Sequence, residues 1–211
     1  LGGEGLTNMA RNMEDTNFGE LGSVALGDMA RNMEGDNFND LGGNKVLSMA
    51  KVMDNTVLSE IGNEQAKGMA KAMEENQIAT LDSNQLVGLA KGMESKEIVE
   101  IGEDRLFAMV NKIEDKEVGN LGDDHLSAMM SGLKGTQIGQ LEEDKRISIV
   151  DNLQANFFES KSANFNDMRN ALDSSPPLTL DVNKIGKTMI GAVDSVEKEK
   201  VLGVFSREDL F

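Results

Sequence analysis

Hydrophobic residues return along this chain at a fixed interval of 20. Leu1, Leu21, Leu41, Ile61, Leu81, Ile101, Leu121 and Leu141 open eight successive intervals with no insertion between them. Counting each as position 1, position 9 holds Met9, Met29, Met49, Met69, Leu89, Met109, Met129 and Ile149. Position 13 holds Met13, Met33, Met53, Met73, Met93, Ile113, Leu133 and Leu153. Position 6 is aliphatic from Leu6 to Leu126 and becomes Arg146 in the eighth interval, while position 10 is Ala in the first five. Positions 6, 9, 10 and 13 stand at i, i+3, i+4 and i+7, which is one apolar stripe of an α-helix. Position 18, from Phe18 and Phe38 to Ile138 and Phe158, lies three residues before the next position 1 and marks a second, shorter stripe.

The pattern predicts a long helix over positions 4 to 14 and a short one over positions 15 to 21. Polar residues such as Ser23, Asn63, Ser83 and Asp123 are placed to cap the long helix. Gly2, Gly22, Gly42, Gly62, Gly102 and Gly122 share position 2. They follow the short helix, where a left-handed C-cap favours glycine. Two short helices cannot bury their stripes alone, so pairs are expected to stack with each repeat on its neighbours. The expected fold is all-α, an α-solenoid of 20-residue helix-turn-helix repeats with one long and one short helix each, wound as a right-handed superhelix. Residues 1–160 form the eight repeats. Residues 161–211 hold degenerate ninth and tenth repeats and a C-terminal helical cap, with Phe165, Met168 and Leu172 in phase and Pro176 and Pro177 in place of a second helix.

Composition sharpens this picture. Aromatics are 4% of the chain, all Phe, and there are 14 methionines, which suits thin layers of close helices filled by Leu, Ile, Met and Ala. The absence of cysteine excludes disulfides, thiolate metal sites and a Cys nucleophile. The net charge is −16, and the eight repeats carry −15 of it, with 14 basic and 29 acidic side chains. Such a surface repels phosphate backbones and anionic lipids, so neither nucleic acid nor a membrane surface is an expected partner. No apolar run reaches the length of a membrane span. Solubility is the plain reading of the charge, and a protein partner, basic in character, the functional one. Leu1 is not Met and already fills position 1, so further sequence is expected upstream. The compartment is not fixed, with a cytoplasmic address preferred.

Candidate chemistry is sparse. Arg11, Arg31, Lys51, Lys71 and Lys91 at position 11 stand three residues before Glu14, Glu34, Asp54, Glu74 and Glu94 at position 14. That spacing allows surface ion pairs worth a few tenths of a kcal/mol each. Functionally it is a candidate interaction ladder confined to the first five repeats. The acidic starts Glu103–Asp104, Asp123–Asp124 and Glu142–Glu143–Asp144 read first as favourable charge at helix N-termini and second as a weak cation surface. Asp36–Asp40 resembles a calcium loop only until Phe38 falls where a ligand belongs. His125 is the only histidine and has no partner arrangement for catalysis or metal binding. Phosphate-binding glycine loops are absent. No catalytic, cofactor-binding or metal residue is assigned, and no cofactor or small-molecule ligand is expected.

The run Ile61-Gly62-Asn63-Glu64-Gln65-Ala66-Lys67-Gly68-Met69-Ala70-Lys71-Ala72-Met73-Glu74 is similar in spacing to the cytosolic N-terminal domain of MgtE-type magnesium transporters and to the middle region of the flagellar switch protein FliG. Those domains carry Pro after the first leucine, where this chain has Gly, and their period is less regular. What the resemblance implies over residues 1–160 is a superhelical α-solenoid shape, not magnesium sensing or a motor role. The leading functional expectation is a non-enzymatic scaffold or protein–protein interaction module. The alternatives are an acidic, divalent-cation-responsive regulatory domain and a structural subunit of a larger assembly.

Overall fold

The computed structural model of the chain describes residues 2–153, and every regular element there is helical. The eighth repeat beyond Leu153, and the ninth and tenth repeats with the cap expected over 161–211, lie outside the described residues. Contacts divide the chain into a compact region Leu1–Lys134 and a second region Gly135–Phe211.

The first region alternates long and short helices. It contains α1 (Gly3–Asn12), α2 (Asp15–Arg31), α3 (Asn37–Leu41), α4 (Gly43–Val52), α5 (Asn55–Glu60) and α6 (Asn63–Ala72). It continues through α7 (Glu75–Ile78), α8 (Ser83–Lys91), α9 (Ser95–Ile98), α10 (Glu103–Lys112), α11 (Asp115–Val118) and α12 (Asp123–Gly132). Helix α2 joins the first short helix to the second long one and is broken at Gly22. Single 3₁₀ turns, Val99–Ile101 and Gly119–Leu121, prolong α9 and α11.

The long helix ends earlier than its apolar stripe. Met13, Met53, Met73 and Leu133 at position 13 have extended backbone and terminate α1, α4, α6 and α12. Met33, Met53 and Met73 are nonetheless buried, so position 13 serves the core from the link between helices. Position 14 follows as the N-cap of the short helix, at Asp54 before α5, Glu74 before α7 and Glu94 before α9. Position 14 therefore belongs to the link rather than to the long helix.

The position-2 glycines also differ from expectation. Gly22, Gly42, Gly62, Gly102 and Gly122 have φ between +76° and +106°, but ψ lies between 146° and 168°. This is an extended region that only glycine enters at low cost, not the left-handed helical cap. It turns the chain sharply into the next long helix. Asp82 meets the same need with φ −76° and a side chain that accepts from Gln85 N–H at 2.8 Å.

Packing skips a repeat. Each short helix lies against the long helix two repeats on: α3 on α6, α5 on α8, α7 on α10 and α9 on α12. Each long helix also meets the next long one, as α4 does α6 and α6 does α8. Neighbours across these contacts are separated by about one and a half repeats. Long-range side-chain hydrogen bonds accordingly span 29 to 35 residues. Stacking on the adjacent repeat is kept between long helices, and contact at this longer interval is added to it. The approach is closest at position 8: a Cβ on Gly88 would fall 2.7 Å from Asn55 Cα and 2.9 Å from its carbonyl carbon. The core is the expected one, with Ala10, Ala30, Ala50, Ala70 and Ala90 wholly buried among Leu, Ile, Met and two Phe.

The second region contributes α13 (Gly135–Gln140) and α14 (Glu143–Asn152). Ile138, Leu141, Ile149 and Leu153 are buried there, together with Lys145 and Arg146.

Candidate interaction surface

The ten ladder residues lie at the surface: Arg31 is half-buried, and Arg11, Glu14, Glu34, Lys51, Asp54, Lys71, Glu74, Lys91 and Glu94 are exposed. Their bonds run in other directions than along the pairs. Arg31 reaches back to Asp28 at 2.6 Å and across to Glu60, whose carboxylate is 3.7 Å away and whose carbonyl accepts at 3.0 Å. Arg11 likewise donates to Asn8 Oδ1 and to the Asp40 carbonyl. The acids at position 14 serve the short helices. Asp54 accepts from Val57 N–H at 2.9 Å, and Glu14 and Glu74 form capping boxes with Asn17 and Gln77. The Val57 N–H, then the Ser23 hydroxyl, hold the Asp54 carboxyl below its ordinary range.

A second set of contacts could not be read from the sequence as a set. Position 5 holds Lys45, Gln65, Gln85, Arg105 and His125. Each bonds the position-13 carbonyl 32 residues earlier. Lys45 bonds Met13, Gln65 bonds Met33 at 2.9 Å, Gln85 bonds Met53 at 3.1 Å, Arg105 bonds Met73 at 2.6 Å and His125 Nε2 meets the Met93 oxygen at 3.0 Å. The shared feature is a long side chain bearing a ring or chain nitrogen, so four residue types perform one task. The lone histidine is thus part of the packing.

This clasp changes the charge balance at the surface. Arg31, Lys45, Lys67 and Arg105 are half-buried, turned towards carbonyls or flanking acids. Lys67 lies between Glu64 at 3.1 Å and Glu100 at 3.4 Å, and its pKa is raised by the bond to Glu64 first. Acids such as Glu20, Asp36, Asp40, Glu60, Glu75 and Asp104 remain exposed. Glu97 is buried, 3% exposed. Burial pushes its pKa up, but the Asn63 hydrogen bond and the Lys96 ammonium outweigh this, and the carboxyl sits below its ordinary value.

The acidic helix starts stand where the sequence places them, in the first turns of α10, α12 and α14. Among the described residues no three His, Cys, Asp or Glu side chains converge as a metal site, and no helix is long and apolar enough to cross a membrane. Some exposed apolar side chains were not foreseen. Met9 and Leu21 are each 40% exposed and Val24 is 68% exposed, whereas Met49, Met69, Ile61 and Leu81 at the first two positions are buried. Val24 had a signal, since the following repeats carry Asn44, Glu64, Asn84 and Asp104 there.

Over the described residues these features define an all-helical protein with charged side chains displayed on its surface. In comparison with known proteins it matches no family model, no curated protein and no solved structure.

Proposed function

We propose that this chain is a non-enzymatic scaffold, an α-solenoid of 20-residue repeats whose acidic exterior binds a basic protein partner. The supporting observation is the sorting of charge. Position 5 and its neighbours draw Lys45, Lys67, Arg31 and Arg105 into contacts with the chain itself. The carboxylates of positions 15 and 20, such as Asp15, Glu75, Asp115, Glu20, Asp40, Glu60 and Glu100, stay exposed. A charged exterior of this kind accelerates encounter with an oppositely charged partner and weakens with salt. Contacts at a constant sequence offset favour an array that extends by addition, which is the economy of a scaffold.

The test is binding of arginine- and lysine-rich peptides by the full chain, titrated against salt. Saturable binding that weakens steeply with salt, and that falls when Asp40, Glu60 and Glu100 are changed to Lys, is the expected result. Turnover of a substrate class that one point substitution abolishes would replace the scaffold reading. Absence of any peptide binding at low salt would refute the basic partner.

A further inference from the structure

The backbone N–H of position 14 precedes each short helix and lacks an intrahelical acceptor. The region Leu1–Lys134 satisfies it in two ways. Glu34 N–H donates to Asn37 Oδ1 at 2.9 Å and Glu74 N–H to Gln77 Oε1 at 2.8 Å, an acceptor three residues ahead. Asp54 N–H instead donates to Ser23 Oγ at 2.9 Å, Glu94 N–H to Asn63 Oδ1 at 2.7 Å and Glu114 N–H to Ser83 Oγ at 2.8 Å, an acceptor 31 residues behind.

The two solutions exclude one another. Opposite the Asn37 amide stands Gly3, where an added Cβ would lie 3.1 Å from Asn37 Oδ1 and 3.5 Å from Glu34 N. Opposite the Gln77 amide stands Gly43, where a Cβ would press on Gln77 Oε1. Opposite Ser23, Asn63 and Ser83, 34 residues on, stand Val57, Glu97 and Glu117, none of them an amide. Over these five pairs, a glycine at position 3 therefore goes with an amide at position 17 of the next repeat, and a hydroxyl or amide at position 3 goes with a different residue, whereas Glu103 with Gln137 follows neither pattern.

The geometry points to these pairs as a code that fixes which repeat packs against which. Its need is physical. Repeats this alike could slip by one interval and still bury their apolar stripes. A slip that set Gly3 against Val57 leaves the Asp54 N–H without either acceptor, and one that set Ser23 against Gln77 displaces the amide from the N–H it serves, the hydroxyl taking its place. At these largely exposed donors each bond contributes only modestly, but the pairs recur along the array and together favour one register. This reading is independent of what the surface binds.

The experiment is a double-variant cycle in the full chain: Ser83→Gly, Glu117→Gln and both together, followed by urea unfolding and by amide exchange at Glu114. Loss of one such bond is expected to lower the folding equilibrium constant about fivefold in Ser83→Gly. Exchange at Glu114 should rise with it. Glu117→Gln alone should stay near the parent, and the double variant should recover to within about twofold, as Gly43 with Gln77 does naturally. A double variant no more stable than Ser83→Gly, or an unchanged Glu114 exchange rate in Ser83→Gly, would overturn the code. Should Ser83→Gly fail to fold, Ser23→Gly with and without Val57→Asn repeats the cycle, and absence of rescue there overturns it equally.

Discussion

Gln85 concentrates more of the inter-helix bonding than any other position-5 residue described above. Its Nε2 donates to the carbonyls of Ala50 at 3.1 Å, Lys51 at 2.9 Å and Met53 at 3.1 Å. Its Oε1 accepts from Asp82 N–H at 3.1 Å, and the residue is 8% exposed. Gln85→Leu keeps the volume but removes both donor hydrogens, leaving carbonyls at the end of α4 without a partner. Two bonds at about 1 kcal/mol each, plus about 1–2 kcal/mol for a buried carbonyl left unsatisfied, give a loss of roughly 3–4 kcal/mol. For a chain of this size that is a fall in melting temperature of roughly 5–15 °C. Gln85→Lys should lie between, losing about 1 kcal/mol, because Lys45 already serves Met13 in the same role. Urea unfolding followed by circular dichroism measures both variants, and amide exchange in α4 and α8 shows whether the loss is local. A Leu variant within about 0.5 kcal/mol of the parent, or a Lys variant as unstable as Leu, would refute the view that position 5 holds the layers together.

Two glycines should fail for opposite reasons. Gly88→Ala gains helix propensity yet should lose about 1–3 kcal/mol by thermal unfolding, since its Cβ meets the Asn55 backbone. Gly122→Ala meets nothing within 4 Å but sits at φ +76°, so about 1–3 kcal/mol of backbone strain is expected, while Asp82→Gly should cost only a few tenths. Asp54 has a folded pKa below its ordinary 3.8, so its contribution to stability is complete above that value and is lost as pH falls through the lower folded value. Asp54→Asn, which keeps a capping oxygen, should flatten this part of the acid-unfolding curve, and an unchanged curve would count against the Val57 and Ser23 bonds. Melting with ~5 mM magnesium or calcium should match a monovalent control at equal ionic strength. A ligand at ~100 times its dissociation constant would add about 2.7 kcal/mol, and a shift of that size would favour a cation-responsive domain.

The candidate site was partly legible. The exposure of the position-11 and position-14 residues followed from their place off the apolar stripe. Their bonding did not, because i, i+3 spacing assumes one continuous helix, and the extended backbone at residues such as Met53 separates the two positions. Ser23, Asn63 and Ser83 showed the same difference. They were expected to cap the long helices that follow them, and they satisfy instead the N–H groups of Asp54, Glu94 and Glu114. A capping residue advertises its hydrogen-bonding capacity in sequence but not the donor it will find.

The sequence by itself determined the helices, their alternation of long and short, and the buried set, because 3.6-residue periodicity and side-chain hydrophobicity act locally and repeat every 20 residues. It also placed a glycine turn at position 2, though not the extended conformation that the turn adopts. Only the tertiary structure decided that neighbours in space lie 29 to 35 residues apart, so that α5 rests on α8 and Gln85 reaches α4. That offset is not a multiple of 20, because position 5 meets position 13 and position 3 meets position 14 of a different repeat. Which positions meet is settled by packing between helices far apart in sequence, and such packing leaves no period of its own in the chain.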